Sequence, residues 1–224
     1  MVIDERCLLL KKYPRAIVHL RSQVTNKRFG AVLGAGISVS FGVPNWDKLV
    51  EHIAEDTAVN GTALIMGKAA KAMSFPYKTE MLFQRFSAER SKVLSGLTEI
   101  ERRNTIVAEW LTICQKYLYG SHSIDIDLAL STHPYLESLL PLVQESALTV
   151  NFNFDDYLER SLRARKRPGD ISRGFEAVTD PWPQFRRLDC VIYHPHGYVP
   201  KGLMEKIVDR FVFSEASYSK PDGF

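Results

Sequence analysis

The stretch that decides the fold is Phe29-Gly30-Ala31-Val32-Leu33-Gly34-Ala35-Gly36-Ile37-Ser38, a short apolar run that stops at two glycines. Five residues of this kind, ending in a glycine turn, read as a buried parallel strand delivering its backbone to a tight corner. Upstream, Ile17, Leu20 and Val24 recur at helical spacing behind Pro14, which suits a first helical turn, and Asn26-Lys27-Arg28 ends that pattern. Downstream, Asn45 is placed to cap a helix whose apolar face is Leu49, Val50, Ile53 and Ala54. Helix, strand, glycine turn and helix in that order open an α/β sheet.

Roughly residues 62–120 hold no strand pattern. Met81, Leu82 and Phe86, then Ile106, Trp110, Ile113 and Tyr117, mark amphipathic helices whose apolar stripes are core packing. With the loop at Gly120-Ser121-His122-Ser123, they form a helical block over about 60–132. A helix follows over His133–Glu145 with Leu136, Leu139, Leu140 and Val143. Then come a strand over Ala147–Phe152, a helix over Asp155–Arg165, turn signals at Arg167–Asp170 and Asp180–Pro183, and a strand over Cys190–His194. The expected fold is therefore α/β: a Rossmann-like parallel sheet with flanking helices and an inserted helical block, as one domain over 1–224.

Composition sets bounds on function. The 224 residues are 45% hydrophobic and 25% charged, enough for one sizeable core. A net charge of +3 with both signs interspersed is no electrostatic footprint for nucleic acid. The three cysteines, Cys7, Cys114 and Cys190, are far apart, so neither a disulfide framework nor a four-cysteine zinc site is expected. No apolar run reaches transmembrane length and the first residues lack a signal-peptide core, which makes the cytoplasm the expected location and a membrane partner unexpected.

Three strand ends carry the polar residues. At Gly34-Ala35-Gly36-Ile37-Ser38 the glycines let backbone N–H groups approach a diphosphate, and a helix N-terminus behind them would add favourable charge. The spacing is not that of a hydride-transferring Rossmann enzyme: a GxGxxG pattern needs glycine at 39, where Val39 stands, and the next glycine is in Gly42-Val43-Pro44. At Asn151-Phe152-Asn153-Phe154-Asp155-Asp156-Tyr157-Leu158-Glu159, amides and carboxylates emerge where a strand stops, the usual ligand crevice of open α/β sheets. One aspartate is expected to cap the next helix. At Tyr193-His194-Pro195-His196-Gly197-Tyr198, two histidines stand just past a strand, each suited to take a proton near neutral pH. They could also be half of a metal site, but no further ligand cluster has the right spacing.

Taken together and in this order, the motifs resemble the sirtuin (Sir2) family. Gly34-Ala35-Gly36-Ile37-Ser38 followed by Gly42-Val43-Pro44 is similar to its GAGxS…GxP signature. Phe152-Asn153-Phe154-Asp155 resembles its threonine-x-Asn-x-Asp region, and His196-Gly197 its His-Gly motif. The resemblance covers about 29–60 and 133–218. Within the family the chain is nearer to the bacterial Sir2-like branch often associated with antiphage defence than to protein deacylases. Trp46 stands where deacylases carry Asp-Phe-Arg, and Asp155–Glu159 resembles that branch's Asp-Asp-Leu-Leu-Glu. Val212–Glu215 with Tyr218 resembles the stretch after its His-Gly motif. Phe152 replaces the usual small polar residue before the asparagine, so Asn151 remains a rival register for Asn153, as His194 does for His196.

The resemblance implies an NAD⁺ glycohydrolase, with NAD⁺ as substrate and no metal. Gly34, Ala35, Gly36 and Ser38 would cradle the diphosphate, with Gly42, Pro44, Trp46 and Gly197 completing the pocket. Asp155 would contact the carboxamide, Asn153 would orient ribose and water, and His196 would act as base. Alternatives are an NAD-dependent protein deacylase or a non-catalytic module for NAD⁺ or ADP-ribose. The family's sheet normally continues past this point with a Gly-Ser-type strand end, so the C-terminal part of the domain is expected outside the chain. The implied partners are a C-terminal sensor domain or separate protein, and a second copy of the chain.

Overall fold

The computed structural model describes residues 11–67, 70, 72–120, 124–165, 175–179 and 190–202. The expected turns at 167–170 and 180–183, and the segment 212–218, lie outside the described residues.

Four strands form one sheet: β1 (Gly30–Leu33), β2 (Leu148–Asn151), β3 (Phe175–Val178) and β4 (Cys190–Tyr193), in the order β1-β2-β4-β3. Every neighbouring pair is parallel, with Ala31 opposite Thr149, Thr149 opposite Ile192, and Ile192 opposite Ala177. The fold class is the expected one, a parallel sheet flanked by helices with a large helical insertion. Parallel pairing needs a crossover for each return. The longest crossover holds the insertion.

Strand β3 has no counterpart in the sequence reading. Phe175-Glu176-Ala177-Val178 is four residues long, too short to display a period, and it becomes a strand by pairing with β4 along its whole length.

Helix α1 (Pro14–Thr25) begins on Pro14 and ends where Lys27 enters the left-handed region at φ 55°. Its stripe is only part-covered: Ile17 and Val24 are half-buried and Leu20 is exposed. The expected N-cap at Asn45 is present, its Oδ1 accepting the Lys48 N–H at 3.0 Å. Helix α2 (Trp46–Glu55) buries Leu49, Val50, Ile53 and Ala54.

The insertion comprises α3 (Thr62–Ile65), α4 (Phe75–Val93), α5 (Glu99–Leu118) and α6 (Ile126–Thr132). Its stripes are core, as expected. Leu82, Phe86, Ile106 and Trp110 are buried, and the Trp110 indole packs on Phe83 and Phe86. Helix α5 starts with a reciprocal Thr98–Glu101 capping box. Helices α7 (Pro134–Glu145) and α8 (Tyr157–Ala164) follow the insertion. No described helix is long and apolar enough to cross a membrane.

One sheet face is closed. Ala31, Thr149, Cys190 and Ile192 on it are all buried, while Val32 on the opposite face is 73% exposed. Buried Phe41 and Tyr157 stack at 4.6 Å between ring centroids, which ties the segment after the glycines to α8. Such a pair contributes about 0.5–1.5 kcal/mol beyond its area burial.

Candidate active site

Strands β1, β2 and β4 are neighbours and run parallel, so their carboxyl ends lie along one edge of the sheet. The three polar segments leave from that edge, where open α/β sheets bind ligands.

The glycine segment turns tightly, with the Ile37 N–H bonded to Gly34 O at 3.1 Å. A Cβ built on Gly34 or Gly36 would meet nothing among the described residues within 4 Å. Internal packing therefore does not call for glycine at either position, whereas close approach of an outside group to the backbone would. The segment then enters a single 3₁₀ turn, Ser38–Phe41, rather than an α-helix. The expected helix N-terminus behind the glycines is thus absent, because Gly42 at φ 75° ends the turn in a left-handed cap before α2 begins at Trp46. Glycine is required at 42 by that φ. Ser38 is buried, with its hydroxyl beside the Asp155 carboxyl.

The second segment is built on a local turn. Asn151, the last residue of β2, is buried and its Oδ1 accepts the Asn153 N–H at 3.2 Å. That turn releases Asn153 toward β1, where its Nδ2 donates to Gly34 O at 3.0 Å. A carbonyl only accepts, so the amide nitrogen is the atom facing Gly34. Of the two aspartates, Asp155 makes the helix-start bond, its Oδ1 accepting the Tyr157 N–H at 3.1 Å. Asp156 instead joins the segment to its surroundings. It accepts from the Lys201 N–H at 3.2 Å, and the Tyr119 hydroxyl lies 2.9 Å from its Oδ1 and 2.6 Å from Val199 O. Tyr119 closes α5, so the insertion braces the site.

In the third segment the two histidines diverge. His194 is fully buried, with Nδ1 at 3.2 Å from Asn153 O and Nε2 at 2.7 Å from Glu159 Oε1. The chain then turns, the Gly197 N–H bonding to His194 O at 3.0 Å with Gly197 at φ 73°. His196 is carried to the other side of the turn, half-buried, its ring 5.2 Å from Phe152 and 6.2 Å from Phe154. Phe154 also meets the Trp46 indole edge-on at 4.9 Å, so the first turn of α2 reaches the same wall.

Burial decides the ionisation of these groups. It pushes the Asp155 carboxyl up to about 6, helped by the Glu159 charge and opposed by the Ser38 hydroxyl and the Tyr157 N–H. It also lowers the His196 imidazole below its usual 6.5, which favours the neutral ring at pH 7.

The Asp155 shift has a measurable consequence. Near pH 3 the carboxyl is protonated in folded and unfolded chains alike, and it affects stability little. As pH rises through 3.8 toward 6 the unfolded chain loses its proton first, and above 6 the folded chain carries a buried charge. Asp155→Asn keeps the acceptor for Tyr157 without that charge. The variant should exceed the parent in unfolding free energy by about 3 kcal/mol at pH 7.5 and about 1 kcal/mol at pH 4.5. Urea titrations at both pH values check this, and a pH-independent difference would refute it.

The chain matches no family model and no curated protein. The site is therefore read from its own geometry.

Of the residues singled out in the sequence, Asn153 is bonded to Gly34, and His196 and Trp46 both face the Phe154 ring. Ser38 lies beside Asp155. Gly42 and Gly197 serve the backbone, and Pro44 is a half-buried residue of the connection to α2. Ala35 is exposed in the turn. The sequence reading missed Tyr135, whose hydroxyl lies 2.5 Å from Ser40 Oγ and 3.3 Å from Gly36 O. Its signal was available: an aromatic residue on α7 outside the stripe of Leu136, Leu139, Leu140 and Val143. Among the described residues no group of three His, Cys, Asp or Glu is gathered as a metal site.

Proposed function

We propose that the chain binds NAD⁺ at this sheet edge and hydrolyses its nicotinamide–ribose bond, as a Sir2-like glycohydrolase of bacterial antiphage defence acting in the cytoplasm. The observation that carries this reading is the convergence of the three motifs, with Asn153 bonded to Gly34 and held by His194. The exposed glycine turn, where no Cβ is excluded by packing, and the buried Ser38 hydroxyl suit a diphosphate.

Nicotinamide leaves NAD⁺ as a neutral molecule, so its departure needs no general acid, unlike the alcohol of an ordinary glycoside. The ribose left behind gains oxocarbenium character, which a nearby carboxylate such as Asp155 stabilises electrostatically. With Nδ2 of Asn153 engaged to Gly34, its carbonyl oxygen is the atom left to orient a ribose hydroxyl or water. His196 then takes the proton of that nucleophile. Attack by water gives ADP-ribose, and attack from within the molecule gives a cyclised product. A C-terminal sensor domain or partner protein would supply the trigger.

The deciding experiment is chromatography of NAD⁺ incubated with the full-length protein, with and without a chelator. Nicotinamide and ADP-ribose, or its cyclised form, should appear in equal amounts, and exhaustive chelation should leave the rate unchanged. Intact NAD⁺ after long incubation overturns the reading. Consumption only in the presence of an acylated peptide makes the chain a deacylase. Activity lost to the chelator and restored by zinc would return His194 and His196 to a metal role.

A further inference from the structure

His194 and Glu159 have no part in the chemistry just described, yet both are fully buried and meet at 2.7 Å. The other ring nitrogen, Nδ1, faces the Asn153 carbonyl at 3.2 Å. That carbonyl only accepts, so Nδ1 carries a proton. Nε2 against a carboxylate oxygen then needs a second proton on one of the two atoms. The pair is imidazolium with carboxylate, or imidazole with carboxylic acid, and is neutral as a whole in either form. Tyr198 stacks on the ring at 4.5 Å and covers one of its faces.

Two polar side chains at zero exposure are costly to bury, and Glu159 Oε2 closes no hydrogen bond among the described residues. Apolar side chains of similar volume would fill the same space without that cost. What they could not do is hold the Asn153 peptide from behind. The contacts form one line: Glu159 on α8, His194 after β4, Asn153 after β2, and Gly34 after β1. We infer that Glu159 and His194 are positioning residues, a buried proton-sharing pair that fixes the Asn153 peptide and so aims its amide at the glycine turn. This rests on the reading of Asn153 as part of the NAD⁺-cleaving site.

The test compares Glu159→Ala, Glu159→Gln and His194→Gln in the full-length protein. Glutamine at 159 can donate to an unprotonated Nε2 and so preserves both bonds of the ring. Alanine frees one end of it. His194→Gln can still meet Glu159 but has no donor for the Asn153 carbonyl. Glu159→Ala and His194→Gln should each lower kcat by about 10²-fold with KM little changed, the cost of misplacing a reacting-site group by about 1 Å. Glu159→Gln should recover kcat to within about threefold of the parent.

An independent measurement is the side-chain amide signal of Asn153 in ¹⁵N–¹H spectra. It should shift and exchange faster in Glu159→Ala and His194→Gln, but not in Glu159→Gln. If one of the two disruptive variants does not fold, the other carries the test. If neither folds while Glu159→Gln behaves as the parent, the pair is a folding requirement and the positioning claim is overturned. An unmoved Asn153 signal, or equal losses in Ala and Gln at 159, also overturns it. A parent protein that releases no nicotinamide overturns the glycohydrolase reading instead, and the Asn153 signal still decides the positioning claim.

Discussion

His196→Ala is expected to lower nicotinamide release by about 10²–10⁴-fold, the usual range for loss of a positioned general base. The effect should fall on kcat and kcat/KM together, because the base acts only as the nucleophile attacks. Burial lowers the imidazole below 6.5, so the parent should keep its activity at pH 6.5 and lose it only at more acid pH, as the ring protonates. In a pH–rate profile of kcat/KM, the acid limb should inflect below 6.5 in the parent and be missing from the small residual rate of the variant. His194 is not an alternative base in this geometry. Both its nitrogens are engaged, to Asn153 and Glu159, and none of it is exposed. A variant with parental turnover, or an acid limb that persists in it, would remove His196 from the role.

Asn153→Ala is expected to reduce turnover by about 10²–10³-fold, as when one preorganised polar group is taken from a reacting centre. Its side chain donates to Gly34 O, so the substitution also leaves the glycine turn less firmly held. Asn151→Ala separates the two registers. Asn151 is buried and its amide oxygen closes the turn that presents Asn153. The Asn151 variant should therefore lose more stability, about 1–3 kcal/mol for a broken buried hydrogen bond, than Asn153→Ala does. Thermal unfolding and nicotinamide release measured on both variants decide it. Full activity in Asn153→Ala with none in Asn151→Ala would reverse the assignment.

Much of the fold was legible because it depends on short-range patterns. Apolar runs ending at Leu33, Phe152 and His194 mark three strands, and each end falls within one residue of the observed strand end. The cap at Asn45 and the stripe of Leu49, Val50, Ile53 and Ala54 are likewise local, since an N-cap bonds three residues ahead and a stripe repeats every turn. The polar residue types at the strand ends marked out the one edge of the sheet from which all three segments leave.

What remained undecided in the sequence was every choice between near neighbours. Asn151 and Asn153 are two residues apart, as are His194 and His196, and a strand period of two would put each pair on one face. The strands end first. β2 stops at Asn151 and β4 at Tyr193, and the turns beyond them part the members of each pair. Which histidine goes inside depends on Glu159, contributed by a helix 35 residues earlier in the chain, and on the Asn153 carbonyl of the neighbouring strand end. The same holds for β3, whose four residues become a strand only through β4, and for Tyr135 and Tyr119, which reach the site from α7 and from the end of α5. By itself the sequence determined periods, caps and the residues available at the strand ends. Only the tertiary structure decided which of those residues are satisfied inside and which face outward, because His194 and Asn153 take their partners from other strand ends and from α8 rather than from their own stretch of chain.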